Sequence, residues 1–177
     1  MNKAVFLDRD GTLNVDKGYL YKVDDFEWIP GVLDGLKRLH DAGYLLIVVT
    51  NQSGVGRGYY TEEDVQHLHD WMCDEAAAHG APITACYYCP FLPGATVKPY
   101  DLDSDWRKPK PGMVLAAMKE YDIDTTQSFL IGDKQRDIDC GEKAGVQGYL
   151  FTGGNFADST VQHSFFSFIV LFPELSY

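Results

Sequence analysis

Short apolar runs separated by amphipathic stretches set the rhythm of this chain. Ala4 to Leu7 is a compact apolar run that ends in the polar turn Asp8-Arg9-Asp10-Gly11. After Pro30, the residues Val32, Leu33, Leu36 and Leu39 recur at helical spacing, which predicts a helix over 31–42 stopped by Gly43. Tyr44 to Val49 is apolar at every position, the pattern of a strand buried on both faces. Thr61 stands before Glu62-Glu63-Asp64 as the N-cap of a helix reaching about His79. Further along, the pattern predicts strands at 83–88, 128–131 and 147–151, and helices at 111–121 and 135–144, the last closed by Gly145.

Strands that alternate with helices in this way imply a parallel sheet covered on both faces, a three-layer α/β sandwich. Cys89 to Trp106 breaks the rhythm: Pro90, Pro93 and Pro99 and the lack of periodicity mark a long loop, a kind of segment that is usually functional or disordered. No repeat or linker divides residues 1–177, which are read as one domain. The tail from Asn155 is poorly patterned, although Phe165 to Phe172 is apolar enough for a last edge strand.

Composition narrows the class. A formal net charge of -11 argues against nucleic acid as a partner, because phosphate backbones are held by clustered Lys and Arg. It also means that any phosphorylated ligand needs a metal ion or a local cationic group to reverse the field. No apolar run approaches a membrane span, and no basic, apolar and cleavage regions follow one another at the start, so a cytoplasmic protein is expected. Cys73, Cys86, Cys89 and Cys140 suggest no disulfide framework and are read as reduced thiols rather than as a paired motif. A monomer is the default for a small chain with no evident apolar patch.

The candidate chemistry sits where the strands end. Asp8 and Asp10 follow the first strand, Thr50 and Asn51 follow the second, and Asp133 follows Leu130-Ile131-Gly132. Ligands of open α/β sheets collect at these carboxyl ends. Carboxylates gathered there repel unless a cation lies among them, and magnesium suits hard oxygen ligands and bridges to phosphate. One carboxylate can attack phosphorus, and the second can give a proton to the leaving oxygen and take one from water. Thr50 can donate to a phosphoryl oxygen. Lys108, in Arg107-Lys108-Pro109-Lys110-Pro111, can neutralise the nucleophile and the transferring group.

Taken together, these segments resemble the haloacid dehalogenase phosphatases over most of the chain. Asp8-Arg9-Asp10-Gly11-Thr12 is similar to their D-x-D-G-T loop, Thr50 to the second-motif Ser/Thr, Lys108 to the third-motif lysine, and Gly132-Asp133 through Asp137 to the G-D-x-x-x-D metal motif. The resemblance implies a Rossmann-like fold with Asp8 as nucleophile and Asp10 as acid/base. It implies magnesium held by Asp8, Asp133 and the main-chain carbonyl of Asp10, with Asp137 supporting the site from behind. The stretch between Asp8 and Thr50 leaves no room for a large cap.

The loops Asn14-Val15-Asp16 and Asn51-Gln52-Ser53-Gly54 resemble the branch of the family that acts on heptose bisphosphate more than the histidinol-phosphate branch. A small phosphorylated sugar is the implied substrate, with Asn51, Ser53, Arg107 and Lys134 as its contacts. Ser53 and Arg57 could equally shape a turn only. Relatives on both branches carry a zinc loop, whereas Phe91, Leu92, Ser104 and Trp106 stand here where its histidines and cysteines are expected. No zinc is expected, and burial of Phe91, Leu92, Tyr100 and Trp106 is expected to hold the loop instead. Two alternatives were weighed: a phosphatase for histidinol phosphate or another sugar phosphate, and a phosphate-binding module without catalysis, against which the intact Asp8 and Asp10 count.

Overall fold

The computed structural model describes residues 1–151. The expected strand over Phe165 to Phe172 lies outside them. Five parallel strands, β1 (Ala4–Leu7), β2 (Leu45–Asn51), β3 (Ala85–Cys89), β4 (Phe129–Gly132) and β5 (Gln147–Leu150), pair in the order β3-β2-β1-β4-β5. The period of two along each strand divides the core. Val5 and Leu7 of β1 and Leu46 and Val48 of β2 face α1 (Val32–Asp41) and α3 (Glu62–Ala78), whereas Ala4, Phe6, Ile47 and Val49 face α4 (Gly112–Glu120) and α5 (Gln135–Ala144). Helices on both faces make the expected three-layer Rossmann-like sandwich.

Local signals explain the helix ends. Thr61 accepts from the Asp64 N–H while the Asp64 carboxylate accepts from the Thr61 N–H, a capping box that starts α3. Gly145 closes α5 at φ 85°, a conformation that costs glycine nothing. The stretch between β1 and β2 holds only the 3-10 turn Val23–Asp25 and α1, so no large cap stands over the strand ends among the described residues. No helix there is long and apolar enough to cross a membrane.

Three local features differ from the sequence pattern. Thr50 and Asn51 continue β2 instead of following it, because β3 pairs with them through Tyr88 and Cys89. Gly54–Arg57 forms a short helix, α2, where three glycines argue for a loop; a Cβ on Gly54 would lie 2.2 Å from the Tyr60 ring, so ring packing outweighs helix propensity there. Cys86-Tyr87-Tyr88-Cys89 does have C-x-x-C spacing, but on a strand it sends Cys86 to the α3 face and Cys89 to the α4 face. Cys86 instead meets Cys73 of α3, with the sulfurs 3.7 Å apart.

The expectation about the 90–107 loop is corrected. Trp106 is 39% exposed, and Phe91, Leu92 and Tyr100 are only half-buried. Hydrogen bonds hold the loop instead: Leu92 N–H to Tyr100 O at 3.0 Å, Val97 N–H to Gly56 O at 3.0 Å, and Gly94 N–H to Asp101 Oδ1 at 2.6 Å. The Tyr100 hydroxyl donates to Glu62 at 2.8 Å and so ties the loop to the start of α3.

Candidate active site

β1 delivers Asp8 to the carboxyl end of the sheet, 5% exposed, with its N–H donating to Ile131 O of β4 at 3.0 Å. Lys108, 2% exposed, places its ammonium 2.8 Å from Asp8 Oδ1, 2.8 Å from Asp137 Oδ1 and 2.7 Å from Val49 O. Those three acceptors use the three donors of an ammonium. Asn51 fixes the backbone beneath it: its Oδ1 accepts from Lys108 N–H at 3.0 Å and its Nδ2 donates to Lys108 O at 3.1 Å. Both ends of that amide are thereby engaged, so Asn51 clamps the Lys108 backbone, with one amide hydrogen and one lone pair still to spare.

Asp133 comes from the turn after β4 and Asp137 from the first turn of α5. The Asp137 carboxylate also accepts from Lys134 N–H at 3.0 Å, which caps α5. Asp133 Oδ2 lies 2.8 Å from the Lys134 ammonium, and Asp133 Oδ1 is buried without a partner among the described residues. Two glycines make the approach possible. A Cβ on Gly11 would sit 2.2 Å from Asp133 Oδ2, and one on Gly132 would sit 2.3 Å from Asp137 Cβ.

Asp8, Asp133 and Asp137 each offer an oxygen within 4.8 Å of the others. Burial pushes the Asp8 carboxyl up to about 7; Asp137 and Asp10 push it the same way and Lys108 opposes them. Burial alone would push Lys108 down, but Asp8 and Asp137 hold it above its usual range. Asp8 and Asp137 thus share one buried ammonium while Asp133 has only the half-exposed Lys134, an imbalance that a divalent cation would relieve. The donors fit magnesium: they are hard oxygens, and one of them is a buried oxygen still lacking a partner. Asp137 is committed to Lys108 and to the cap, whereas Asp133 keeps one buried oxygen without a partner among the described residues.

Asp10 lies in a separate network. Its Oδ1 accepts from Asn14 Nδ2 at 3.0 Å and from the Arg9 guanidinium, and its Oδ2 accepts from Gln52 Nε2 at 3.0 Å. The same Gln52 amide reaches Thr50 Oγ1 at 2.9 Å, and the Tyr60 hydroxyl orients it by donating to Gln52 Oε1 at 2.6 Å. The structure brings Asp8, Lys108, Asp133 and Asp137 into one cluster, and Asp10 and Thr50 into a second joined through Gln52.

The remaining expected contacts ring this centre more loosely. Arg107 is half-buried and donates to Phe91 O at 3.3 Å. Burial lowers its pKa, and the positive charges of Arg136 and Arg57 add to that effect. This local cationic edge is what an acidic protein needs to attract a phosphate. Lys134 is half-exposed and paired with Asp133. Ser53 precedes α2 and makes no capping bond. Arg9, Gln52, Tyr60 and His69 were not singled out from the sequence. Gln52 lies within the Asn51–Gly54 segment and Arg9 within the D-x-D turn, but no linear signal joins His69 to them.

Parallel strands ending in a carboxylate–lysine cradle, with no large cap, define a hydrolase of the haloacid dehalogenase type. A family model described as HAD-hydrolase-like matches residues 105–169. The D-glycero-alpha-D-manno-heptose-1,7-bisphosphate 7-phosphatase of Burkholderia mallei is 47% identical over 145 residues, 82% of this chain and 77% of that protein. The beta-anomer counterpart of Haemophilus ducreyi is 49% identical over 148 residues, 82% of this chain and 80% of that protein. The chain belongs to this family of HAD-superfamily phosphatases. The crystal structure of the D,D-heptose 1,7-bisphosphate phosphatase from B. bronchiseptica, complexed with magnesium and phosphate, superposes with a TM-score of 0.76 at 31% identity, covering 93% of this chain and 86% of that one.

Proposed function

We propose that this protein removes the 7-phosphate of D-glycero-D-manno-heptose 1,7-bisphosphate, a step toward nucleotide-activated heptose. The observation that carries the proposal is the pairing of Asp8 with the buried Lys108 ammonium, 2.8 Å away, at the mouth of the sheet. Asp8 Oδ attacks phosphorus, and the bond to the sugar oxygen breaks. Asp10 gives its proton to that oxygen, then takes one from the water that hydrolyses the aspartyl-phosphate, which releases inorganic phosphate and restores Asp8. Lys108 and Thr50 steady the phosphoryl oxygens. Asp8, Asp133 and the Asp10 main-chain carbonyl would hold magnesium, which would supply positive charge against the carboxylates and the transferring group. Asp137 holds Lys108 in place. Arg107, Lys134 and Ser53 receive the sugar phosphate, the guanidinium by a fork to its oxygens.

The 90–107 loop works without zinc. Cys89 is the one thiol left of the ligand set, buried with its sulfur 3.9 Å from Phe91 O, and burial pushes that thiol up, away from the thiolate that zinc needs.

The test is turnover of heptose 1,7-bisphosphate, both anomers, against histidinol phosphate with magnesium present. The heptose ester is expected to be cleaved faster, and Asp8→Asn is expected to abolish turnover while the protein stays folded. Preferential cleavage of histidinol phosphate would replace the substrate assignment. Undiminished activity in Asp8→Asn would remove the mechanism.

A further inference from the structure

Arg9 is the largest fully buried side chain among the described residues, and no step of the hydrolysis uses it. Its guanidinium spans the Asp10 carboxylate: Nε and Nη2 lie 3.3 and 3.1 Å from Oδ1, and Nη2 lies 3.1 Å from Oδ2. Nη2 also donates to Leu20 O at 2.8 Å, while Nη1 faces His69 Nε2 at 3.2 Å. A guanidinium only donates, so Nε2 accepts and the ring is neutral with its proton on Nδ1. That Nδ1 is buried without a partner among the described residues, an unfavourable arrangement that leaves the Nε2 lone pair aimed at Arg9.

His69 is itself 1% exposed, set within the 17-residue helix α3, with Tyr88 edge-on at 5.9 Å between ring centroids. Burial, aided by Arg9, holds its pKa down to about 3, in keeping with the neutral ring that the Arg9 contact requires. The chain Asp10–Arg9–His69 therefore ends on a rigid helix, while Asp8 is supported independently by Lys108.

We infer that His69 is a positioning residue for the acid step: through Arg9 it fixes the plane in which Asp10 presents its carboxyl to the leaving oxygen. The inference rests on the assignment of Asp10 as acid/base. Without an acceptor at residue 69, Nη1 loses its partner and Leu20 O alone holds the far side of the Arg9 fork, so the plane of the Asp10 carboxyl is less tightly fixed. Attack by Asp8 is untouched.

The discriminating quantity is kcat/KM, which reports steps up to aspartyl-phosphate formation. Heptose 1,7-bisphosphate has an alcohol leaving group that needs a proton; 4-nitrophenyl phosphate has one that leaves without it. His69→Leu is expected to lower kcat/KM roughly tenfold on the sugar ester and less than about threefold on the aryl ester. His69→Gln, which restores an acceptor, is expected to recover most of the loss. If His69→Leu does not fold, His69→Met replaces it. Equal losses on both esters, or no loss on either, would overturn the inference and leave His69 a packing residue. Asp10→Asn serves as the control. If it too shows no dependence on leaving group, the acid/base assignment falls and the inference with it. If it shows the dependence and the His69 variants do not, only the inference falls.

Discussion

The acidic cradle and the 90–107 loop meet at Lys108 but are built on opposite terms. In the cradle Asp8, Lys108 and Asp137 are buried at 5%, 2% and 0% exposure, and each charge has a partner at hydrogen-bond distance. In the loop, Leu102 and Trp106 are 52% and 39% exposed, and the conformation rests on backbone hydrogen bonds and the Tyr100–Glu62 contact. Removing one member of a buried charge set leaves another charge stranded in a low-dielectric interior, whereas a half-solvated loop can replace a lost contact with water. Substitutions in the cradle should therefore be costly, and the loop should tolerate them.

The largest effect that tests this contrast comes from Asp137→Ala. It deprives the buried Lys108 ammonium of one carboxylate and removes the cap of α5, and is expected to lower the unfolding free energy by about 3 kcal/mol. Urea denaturation measures it, and an unchanged midpoint would mean that the cradle is more solvated than its geometry implies.

The second effect concerns Asp8 and the metal. Its folded pKa, about 7, lies above the ordinary carboxylate value of 3.8, so the folded state binds the proton more tightly than the unfolded chain does. The group's contribution to stability is then fully present below about pH 4 and is lost as pH rises through about 7. Magnesium competes with that proton and offsets the loss, so the gain in Tm from added magnesium is expected to be larger at about pH 8 than at about pH 5.5, by on the order of a few degrees. A gain that is the same at both pH values, measured by thermal melts with and without chelator, would break the link between Asp8 and the cation.

The smallest effect lies in the loop. A zinc-selective chelator is expected to leave Tm unchanged, and elemental composition should contain no stoichiometric zinc. A clear drop in Tm would show that the loop depends on a metal after all, which would erase the contrast.

Most elements were legible because their signals are local. The apolar run Ala4–Leu7, the Thr61 cap with Asp64 three residues on, and Gln135–Ala144 stopped by Gly145 each depend on residues within a turn or two. The acidic residues of the site were legible for a related reason: Asp8, Asp10 and Asp133 stand directly after apolar strands, and a parallel sheet carries such residues to one edge. The short helix α2 was not legible, since Gly54 makes room for the Tyr60 ring and Gly56 for the Pro90–Tyr100 loop, contacts that no local pattern shows.

By itself, the sequence determined the order of strands and helices, the parallel sheet, and the carboxylates and lysine available for phosphate chemistry, because periodicity and motif spacing act over short stretches of chain. Only the tertiary structure decided that Asn51 clamps the Lys108 backbone, that Asp137 shares the ammonium with Asp8, and that His69 meets Arg9 across 60 residues. Those pairings depend on strand register and on where each helix docks, and both are set by packing between distant segments.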